Sequence, residues 1–198
     1  GLVAQYALDY PEINYLVKMN SKSHMVKTSA KDPSKHQDDP YSAQLYDIQT
    51  VLDLRENGVN VVALGYTIYL GSEYESQMFS EAGQLIADAH LLGMLVVLWI
   101  YPRGKAVMNE TEAHLIAGAA GTALCLGADF VKVNPPKGDD TQTSAEKLVE
   151  ASKASGRTSL VCAGGSTVAA DVFLKQLWEQ IHVGGAKGNA TGRNIHQR

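Results

Sequence analysis

The chain has 198 residues, of which 45% are hydrophobic, and its formal net charge is −4. This length is enough for one domain with a sizeable core, and without a basic block a dedicated nucleic-acid binder is not expected. No apolar run approaches the roughly 20 residues of a membrane span, and no signal peptide is evident. Cys125 and Cys162 lie far apart in apolar settings, so we expect two buried thiols and a cytoplasmic protein.

The first strand begins at Tyr15 and carries a lysine, Lys18, among apolar residues. A polar loop over residues 21–43 follows it, and its length indicates function or mobility. Ser42 is expected to cap a helix that runs to about Glu56.

Two further strands are predicted over residues 59–69 and 94–101. The helix between them places apolar residues at helical spacing: Met78, Ala82, Leu85, Ile86 and Ala89. Asn109 and Glu112 have the spacing of a capping box. The helix behind them carries an apolar stripe: Leu115, Ile116, Ala119, Ala120, Ala123 and Leu124.

Residues 127–134 read as a short buried strand with Lys132 in its middle. An ammonium among apolar neighbours loses hydration, which lowers its pKa toward a neutral, nucleophilic amine. A neutral amine is the form that makes a Schiff base with a carbonyl substrate. The alternative is an edge strand whose lysine points to water.

The last two units end in glycine-rich turns. Thr143 and Glu146 form another capping box ahead of a helix, and a short strand over residues 159–162 leads into Ala163, Gly164 and Gly165. The final unit contains Gly192 and Arg193. Backbone N–H groups at a helix start, together with a fixed guanidinium, suit a phosphate, although βα turns also use glycine for steric reasons.

The alternation of strands and helices predicts parallel strands with crossover helices, in an open doubly wound sheet or a (β/α)8 barrel. The dinucleotide fingerprint and the P-loop motif are both absent, which favours the barrel. We count six strands where a barrel needs eight. We therefore expect residues 1–198 to form one partial TIM-barrel domain, with two β/α units preceding Gly1 and the final helix following Arg198.

In a barrel the chemistry lies at the carboxyl ends of the strands. The 94–101 strand supplies Trp99 and Tyr101 on one face, and Arg103 follows it. A tyrosine at the mouth can donate or accept a proton, although it is more often a packed side chain with a satisfied hydroxyl, and Arg103 equally suits a surface turn. The six histidines show no metal-ligand spacing, so we expect no metal.

These motifs resemble the archaeal-type class I fructose-bisphosphate aldolases. The resemblance rests on residues 98–104, on Gly127-Ala128-Asp129 with Lys132 after it, on residues 163–165 and on residues 192–195, and residues 17–20 and 65–69 are similar too. It implies a TIM barrel that cleaves fructose 1,6-bisphosphate to dihydroxyacetone phosphate and glyceraldehyde 3-phosphate in glycolysis and gluconeogenesis. It further implies a Schiff base without a metal, and a homo-oligomer, decamers included.

The resemblance assigns the Schiff base to Lys132, proton donation to Tyr101, substrate contacts to Trp99 and Arg103, and the phosphate to the loops at Ala163, Gly164, Gly165, Gly192 and Arg193. Lys18 is expected to contact the substrate and to keep Lys132 unprotonated by charge repulsion. The family's Asp-His-Gly motif on its first strand has no match here. Two alternatives therefore stay open: a related Schiff-base sugar-phosphate synthase or transaldolase-like enzyme, and an inactive phosphosugar-binding fragment. A metal-dependent aldolase would need a histidine cluster that the sequence lacks.

Overall fold

The computed structural model describes residues 5–21 and 39–197, and six parallel strands in them form a single sheet. Their order across the sheet is their order in the chain. The strands are β1 (Tyr15–Lys18), β2 (Val61–Leu70), β3 (Leu95–Pro102), β4 (Phe130–Val133), β5 (Ser159–Ala163) and β6 (Gly188–Ala190). The helices are α1 (Ile48–Glu56), α2 (Glu75–Leu91), α3 (Ala113–Leu126), α4 (Ser144–Ala154), α5 (Ala170–His182) and the short α6 (Arg193–His196), and a 3-10 turn (Ala7–Asp9) precedes β1.

The sequential strand order decides between the two architectures. Crossovers between parallel strands are right-handed, so connections that always step in one direction place their helices on one face of the sheet. A doubly wound sheet instead reverses its strand order at a switch point, so the open-sheet alternative is wrong. The six strands form an incomplete TIM barrel, with β1 and β6 at its two edges.

Side chains of the strands alternate between the helix-covered face and the concave face. In β3, Val96, Leu98 and Ile100 are fully buried beneath the helices. Trp99 and Tyr101 occupy the alternate positions of the strand and therefore point into the barrel. The strand register then aligns Thr67, Trp99 and Lys132 across three neighbouring strands. These three residues therefore form one row of side chains across β2, β3 and β4 on the concave face of the sheet.

Several local predictions are confirmed. All five predicted apolar positions of α2 are buried, and Thr143 and Glu146 form the reciprocal capping box of α4. Gly127 ends α3 in the left-handed conformation, with φ of 89°, which a glycine adopts without steric cost.

Three local predictions are wrong. Helix α1 begins at Ile48 with Asp47 as its cap, because Ser42 is buried in an extended segment that bonds to the end of β1. The Asn109 carboxamide caps a turn by accepting from Thr111, so it forms no capping box with Glu112. Cys125 is exposed, whereas Cys162 is buried as expected.

Candidate active site

One cavity of about 750 Å³ opens at the carboxyl ends of the strands. It is lined by residues from all six strands or from the turns that follow them. The structure brings together in it all ten residues singled out in the sequence: Lys132, Tyr101, Trp99, Arg103, Lys18, Ala163, Gly164, Gly165, Gly192 and Arg193.

The charge of this cavity has one sign. Its lining contains two lysines, Lys18 and Lys132, and two arginines, Arg103 and Arg193. Within residues 5–21 and 39–197, no carboxylate lines it. Four basic side chains and no lining acid favour an anionic ligand in this cavity, and one of the four, Arg103, is paired with Glu110 outside the lining.

Lys132 lies on β4, which pairs with β3 on one side and with β5 on the other. The edge-strand alternative is therefore wrong. Its Nζ lies 5.8 Å from the centre of the Trp99 ring, and no hydrogen-bond partner for it is found among the described residues. Burial lowers the pKa of Lys132, because a half-buried ammonium has lost part of its hydration.

Lys18 is the second amine of the cavity and comes from β1. Its Nζ donates to the Asn20 Oδ1 at 2.8 Å and to the Asn20 carbonyl at 3.0 Å, and lies 5.5 Å from the Trp99 ring centre. Burial, and then repulsion by Lys132, lower the pKa of Lys18 to about 8. The sequence predicted that this repulsion would lower the pKa of Lys132. The larger lowering of pKa is instead that of Lys18.

Tyr101 points into the cavity next to Tyr69, with ring centres 6.5 Å apart. Burial raises the pKa of Tyr101 to about 12, the neighbouring Tyr69 adds to the rise, and Arg103 opposes it. The phenol therefore keeps its proton at neutral pH.

Arg103 lies at the mouth of the cavity and already has a partner. Its Nε and one Nη donate to the two carboxylate oxygens of Glu110 at 2.7 and 2.6 Å, and this pairing raises the pKa of Arg103. A guanidinium has five N–H donors, so the donors of Arg103 that do not bond to Glu110 stay available to a ligand. The guanidinium carbon also lies 5.9 Å from the centre of the Tyr69 ring.

The two glycine-rich turns are in direct contact. The Gly164 N–H donates to the Ala190 carbonyl at 3.2 Å, and a Cβ on Gly164 would lie 2.8 Å from the Cα of Thr191. Gly165 has φ of +67°, which disfavours any residue with a side chain. The backbones of the two turns therefore lie in direct contact, with no side chain between them.

Three asparagines that the sequence did not single out belong to this region. Asn20 and Asn134 line the cavity, and each stands two residues after a cavity lysine, in Lys18-Met19-Asn20 and Lys132-Val133-Asn134. That repeated Lys-x-Asn at a strand end is the signal that could have found them. Asn194 is buried, and its side chain bonds to the Gly164 and Ser166 carbonyls and to the Val168 N–H.

Two negative observations apply to the described part of the chain. No group of three His, Cys, Asp or Glu side chains is arranged to hold a metal ion. No helix there is long and apolar enough to cross a membrane.

The fold and the cavity define a β/α-barrel protein whose strand ends place two lysines and two arginines around one cavity. The profile described as DeoC/LacD family aldolase matches residues 1–198. The chain therefore belongs to the DeoC/LacD family of aldolases.

Its relatives include proteins named for this chemistry. The fructose-bisphosphate aldolase/6-deoxy-5-ketofructose 1-phosphate synthase of Methanocaldococcus jannaschii is 54% identical over 199 residues, covering 100% of this chain and 60% of that protein. The structure of a fructose-bisphosphate aldolase from Slackia heliotrinireducens superposes with a TM-score of 0.92 at 68% identity, again over 100% of this chain and 60% of that one.

A third similar structure, an archaeal fructose-1,6-bisphosphate aldolase, was solved with its catalytic lysine covalently bound to the carbinolamine intermediate of the substrate. It superposes with a TM-score of 0.78 at 31% identity, over 98% of this chain and 70% of that one. The present chain thus spans 60% of the length of the two relatives with the higher identity.

Proposed function

We propose that the protein is a class I aldolase that reversibly cleaves fructose 1,6-bisphosphate to dihydroxyacetone phosphate and glyceraldehyde 3-phosphate, in glycolysis and gluconeogenesis. The observation that carries the proposal is the cavity itself: a half-buried amine, Lys132, in a site that holds three further cations. The names of the relatives and the Schiff-base chemistry of the archaeal structure support it.

Substrate binding in this proposal uses the cavity's cations and turns. One phosphate lies against the backbone N–H groups of Gly165 and Gly192, with Arg193 as its cation, while the Gly164 N–H stays bonded to the Ala190 carbonyl and holds the two turns together. The other end of the sugar extends toward Arg103 at the mouth. Holding the phosphate fixes the ketone near Lys132, which lowers the entropic part of the barrier.

The covalent steps follow from one lysine and one phenol. The neutral Lys132 amine attacks the C2 carbonyl, Tyr101 relays the protons, and loss of water leaves a protonated imine. Cleavage of the C3–C4 bond sends its electron pair into the imine, giving an enamine, while the C4 hydroxyl loses its proton and glyceraldehyde 3-phosphate leaves. Protonation at C3 and hydrolysis then release dihydroxyacetone phosphate and restore the amine. The imine is the electron sink, so this route requires no metal.

The proton on the C4 hydroxyl needs a base. No carboxylate lines the described cavity, and the family's first-strand aspartate has no counterpart in residues 1–198. Slow turnover is therefore the expected behaviour of these 198 residues alone, because general-base assistance is typically worth about 100- to 10,000-fold.

The test is a cleavage assay that measures glyceraldehyde 3-phosphate released from fructose 1,6-bisphosphate, with and without a chelator. We expect turnover that the chelator leaves unchanged and that Lys132→Met abolishes, with Lys175→Met as an exposed control on α5. Binding of the bisphosphate without any turnover would overturn the proposal in favour of an inactive phosphosugar-binding protein.

A second activity is favoured by the M. jannaschii relative, which is named as a 6-deoxy-5-ketofructose 1-phosphate synthase as well as an aldolase. The same lysine enamine can add to a different aldehyde, because only the distal end of the acceptor changes. A screen of acceptor aldehydes with and without a distal phosphate distinguishes the two activities.

Assembly and location complete the proposal. A homo-oligomer, a decamer in the resembled family, and a cytoplasmic protein are the expected states. Light scattering of the purified protein and fractionation of the source cells measure them directly.

A further inference from the structure

Asn20 is a polar side chain of the cavity wall that makes four hydrogen bonds. It is only 3% exposed. Its Nδ2 donates to the Ser42 carbonyl at 2.8 Å and to the Thr67 carbonyl at 2.9 Å, and its Oδ1 accepts from the Thr67 N–H at 2.8 Å and from Lys18 Nζ at 2.8 Å. A carboxamide has two donors and an acceptor with two lone pairs, so its capacity is used in full.

These partners also fix which way the amide faces. A flipped amide would place its NH₂ against the Thr67 N–H and the Lys18 ammonium, and its oxygen against two carbonyls. Such an arrangement loses all four bonds, so the network leaves a single assignment. The oxygen of Asn20 therefore faces Lys18.

The same side chain connects two strands at the level of the reactive lysine. Strand β1 ends at Lys18, and Asn20 continues its pairing with β2 by bonding both backbone groups of Thr67. Thr67 stands in register with Trp99, which stands in register with Lys132. Asn20 thus fixes the place of Lys18 relative to that row.

From this network we propose that Asn20 is a positioning residue, which holds the Lys18 ammonium at a fixed point of the cavity and keeps it charged next to Lys132 and the substrate. The inference rests on the proposed function, in which Lys132 is the nucleophile. A lysine side chain has many rotamers, so an unheld Lys18 would sample many positions.

The electrostatic consequence has a definite sign. An acceptor bonded to an ammonium favours its charged form, and this opposes the burial and the Lys132 repulsion that lower the pKa of Lys18. The other titratable or cationic side chains on the cavity wall are Tyr69, Tyr101, Arg103 and Arg193. A charged Lys18 in turn disfavours a proton on Lys132.

The experiment measures the titration of Lys18 and the reactivity of Lys132 separately. Competitive labelling with acetic anhydride over a pH series, read by mass spectrometry of peptides, gives the titration of Lys18. Borohydride trapping with dihydroxyacetone phosphate gives the rate of adduct formation at Lys132. Both are measured on the wild type, Asn20→Leu and Asn20→Asp. Asn60→Ala is the control, because Asn60 bonds to Ile13 and Asn14 before β2, at the opposite end of the barrel.

The two substitutions of Asn20 are expected to shift the titration midpoint of Lys18 in opposite directions. The Asn20→Leu substitution removes the acceptor and lowers the midpoint of Lys18 by about one pH unit, whereas Asn20→Asp adds a negative charge and raises it. Leucine removes the acceptor of Lys18, and aspartate loses the two donors to the Ser42 and Thr67 carbonyls, so each variant displaces the Lys18 ammonium. Both variants therefore slow adduct formation at Lys132 by about tenfold, because a small misplacement near the chemistry is costly. The control changes neither measurement.

An unmoved Lys18 midpoint in both variants, shifts in the same direction, or an unchanged trapping rate would each overturn the inference. If Asn20→Leu does not fold, Asn20→Asp decides alone, through its upward shift and slower trapping. A wild type that forms no adduct at Lys132 instead overturns the proposed function, and the labelling midpoints still report whether Asn20 holds Lys18.

Discussion

Gly65 leaves the space that the Trp99 ring fills. A Cβ built on Gly65 would lie 2.2 Å from one ring carbon of Trp99 and 2.6 Å from another. The absence of a side chain on β2 thus allows the indole of β3 to lie across the neighbouring strand, within 6 Å of both cavity lysines. The position of the ring between the two amines depends on this contact.

Gly65→Ala is therefore expected to displace Trp99. Overpacking of this kind costs about 1–3 kcal/mol of unfolding free energy, and the trapping rate at Lys132 should fall with it. Urea unfolding and borohydride trapping measure the two effects. Gly83→Ala is the matched control, because a Cβ there meets nothing within 4 Å; alanine in that helix should be neutral or stabilising by up to about 1 kcal/mol. Equal behaviour of the two variants would contradict the packing role of Gly65.

Glu110 is expected to limit the affinity for the distal phosphate. It neutralises Arg103 and would repel a dianion that approaches the same guanidinium. Glu110→Gln should tighten binding of fructose 1,6-bisphosphate relative to fructose 1-phosphate by at most about fivefold, because an exposed ion pair is worth about 0–1 kcal/mol. Calorimetry of both ligands measures the ratio.

Glu73→Gln supplies the control for Glu110, since Glu73 pairs with Lys105 rather than with Arg103. A ratio that changes equally in both variants, or not at all in Glu110→Gln, would show that Arg103 does not contact the distal phosphate.

Asn194 is expected to support the phosphate turn after β5. Its amide donates to the Gly164 and Ser166 carbonyls, at 2.7 and 2.9 Å. Asn194→Asp keeps the oxygen that accepts from Val168 but loses both donors, so KM for the bisphosphate should rise by about tenfold or more, each lost bond being worth about 0.5–1.5 kcal/mol. Steady-state kinetics should show kcat changing less than KM. The reverse pattern would place Asn194 in the chemistry rather than in binding.

Lys18 is expected to lower the stability of the fold at neutral pH. Its pKa falls from an ordinary value near 10.5 to about 8 on folding, so the unfolded chain binds more protons between those pH values. Stability therefore rises with pH from about 8 to 10.5, and the cost of the buried ammonium is fully present below pH 8. Lys18→Met should stabilise the protein at pH 7 by at most about 2 kcal/mol after allowance for solvent screening.

The stabilisation by Lys18→Met should become smaller toward pH 10, as urea unfolding at pH 7 and pH 10 would show. Lys175→Met, on an exposed lysine, should show no comparable pH dependence. A Lys18→Met gain that is the same at pH 7 and pH 10 would contradict the burial cost.

The strands and the residues that line the cavity were predictable because their signals are local. Lys132 between apolar residues, the Trp99-Ile100-Tyr101 alternation and the two glycine turns are each visible within a few residues, and strict alternation of strand and helix predicts parallel strands with crossover helices. The start of α1 was not predictable from such signals. Ser42 is a good cap by propensity, but its backbone bonds to Asn20, a residue 22 positions earlier, and this tertiary contact overrides the local preference.

The asparagines and the Glu110 pairing were missed for the same reason. The role of Asn20 depends on a strand register, and that of Asn194 on the approach of two turns that lie about thirty residues apart. The lowered pKa values of Lys18 and Lys132 likewise depend first on how far the folded chain buries each amine, which no spacing in the sequence states.

The central claim is that Lys132 is the amine that attacks the substrate ketone. Borohydride reduction in the presence of dihydroxyacetone phosphate, followed by peptide mapping, tests it most directly. We expect a reduced adduct on the peptide that contains Lys132, and none on that peptide when Lys132→Met is treated in the same way. An adduct on Lys18 in the wild type, or no adduct at all, would contradict the claim.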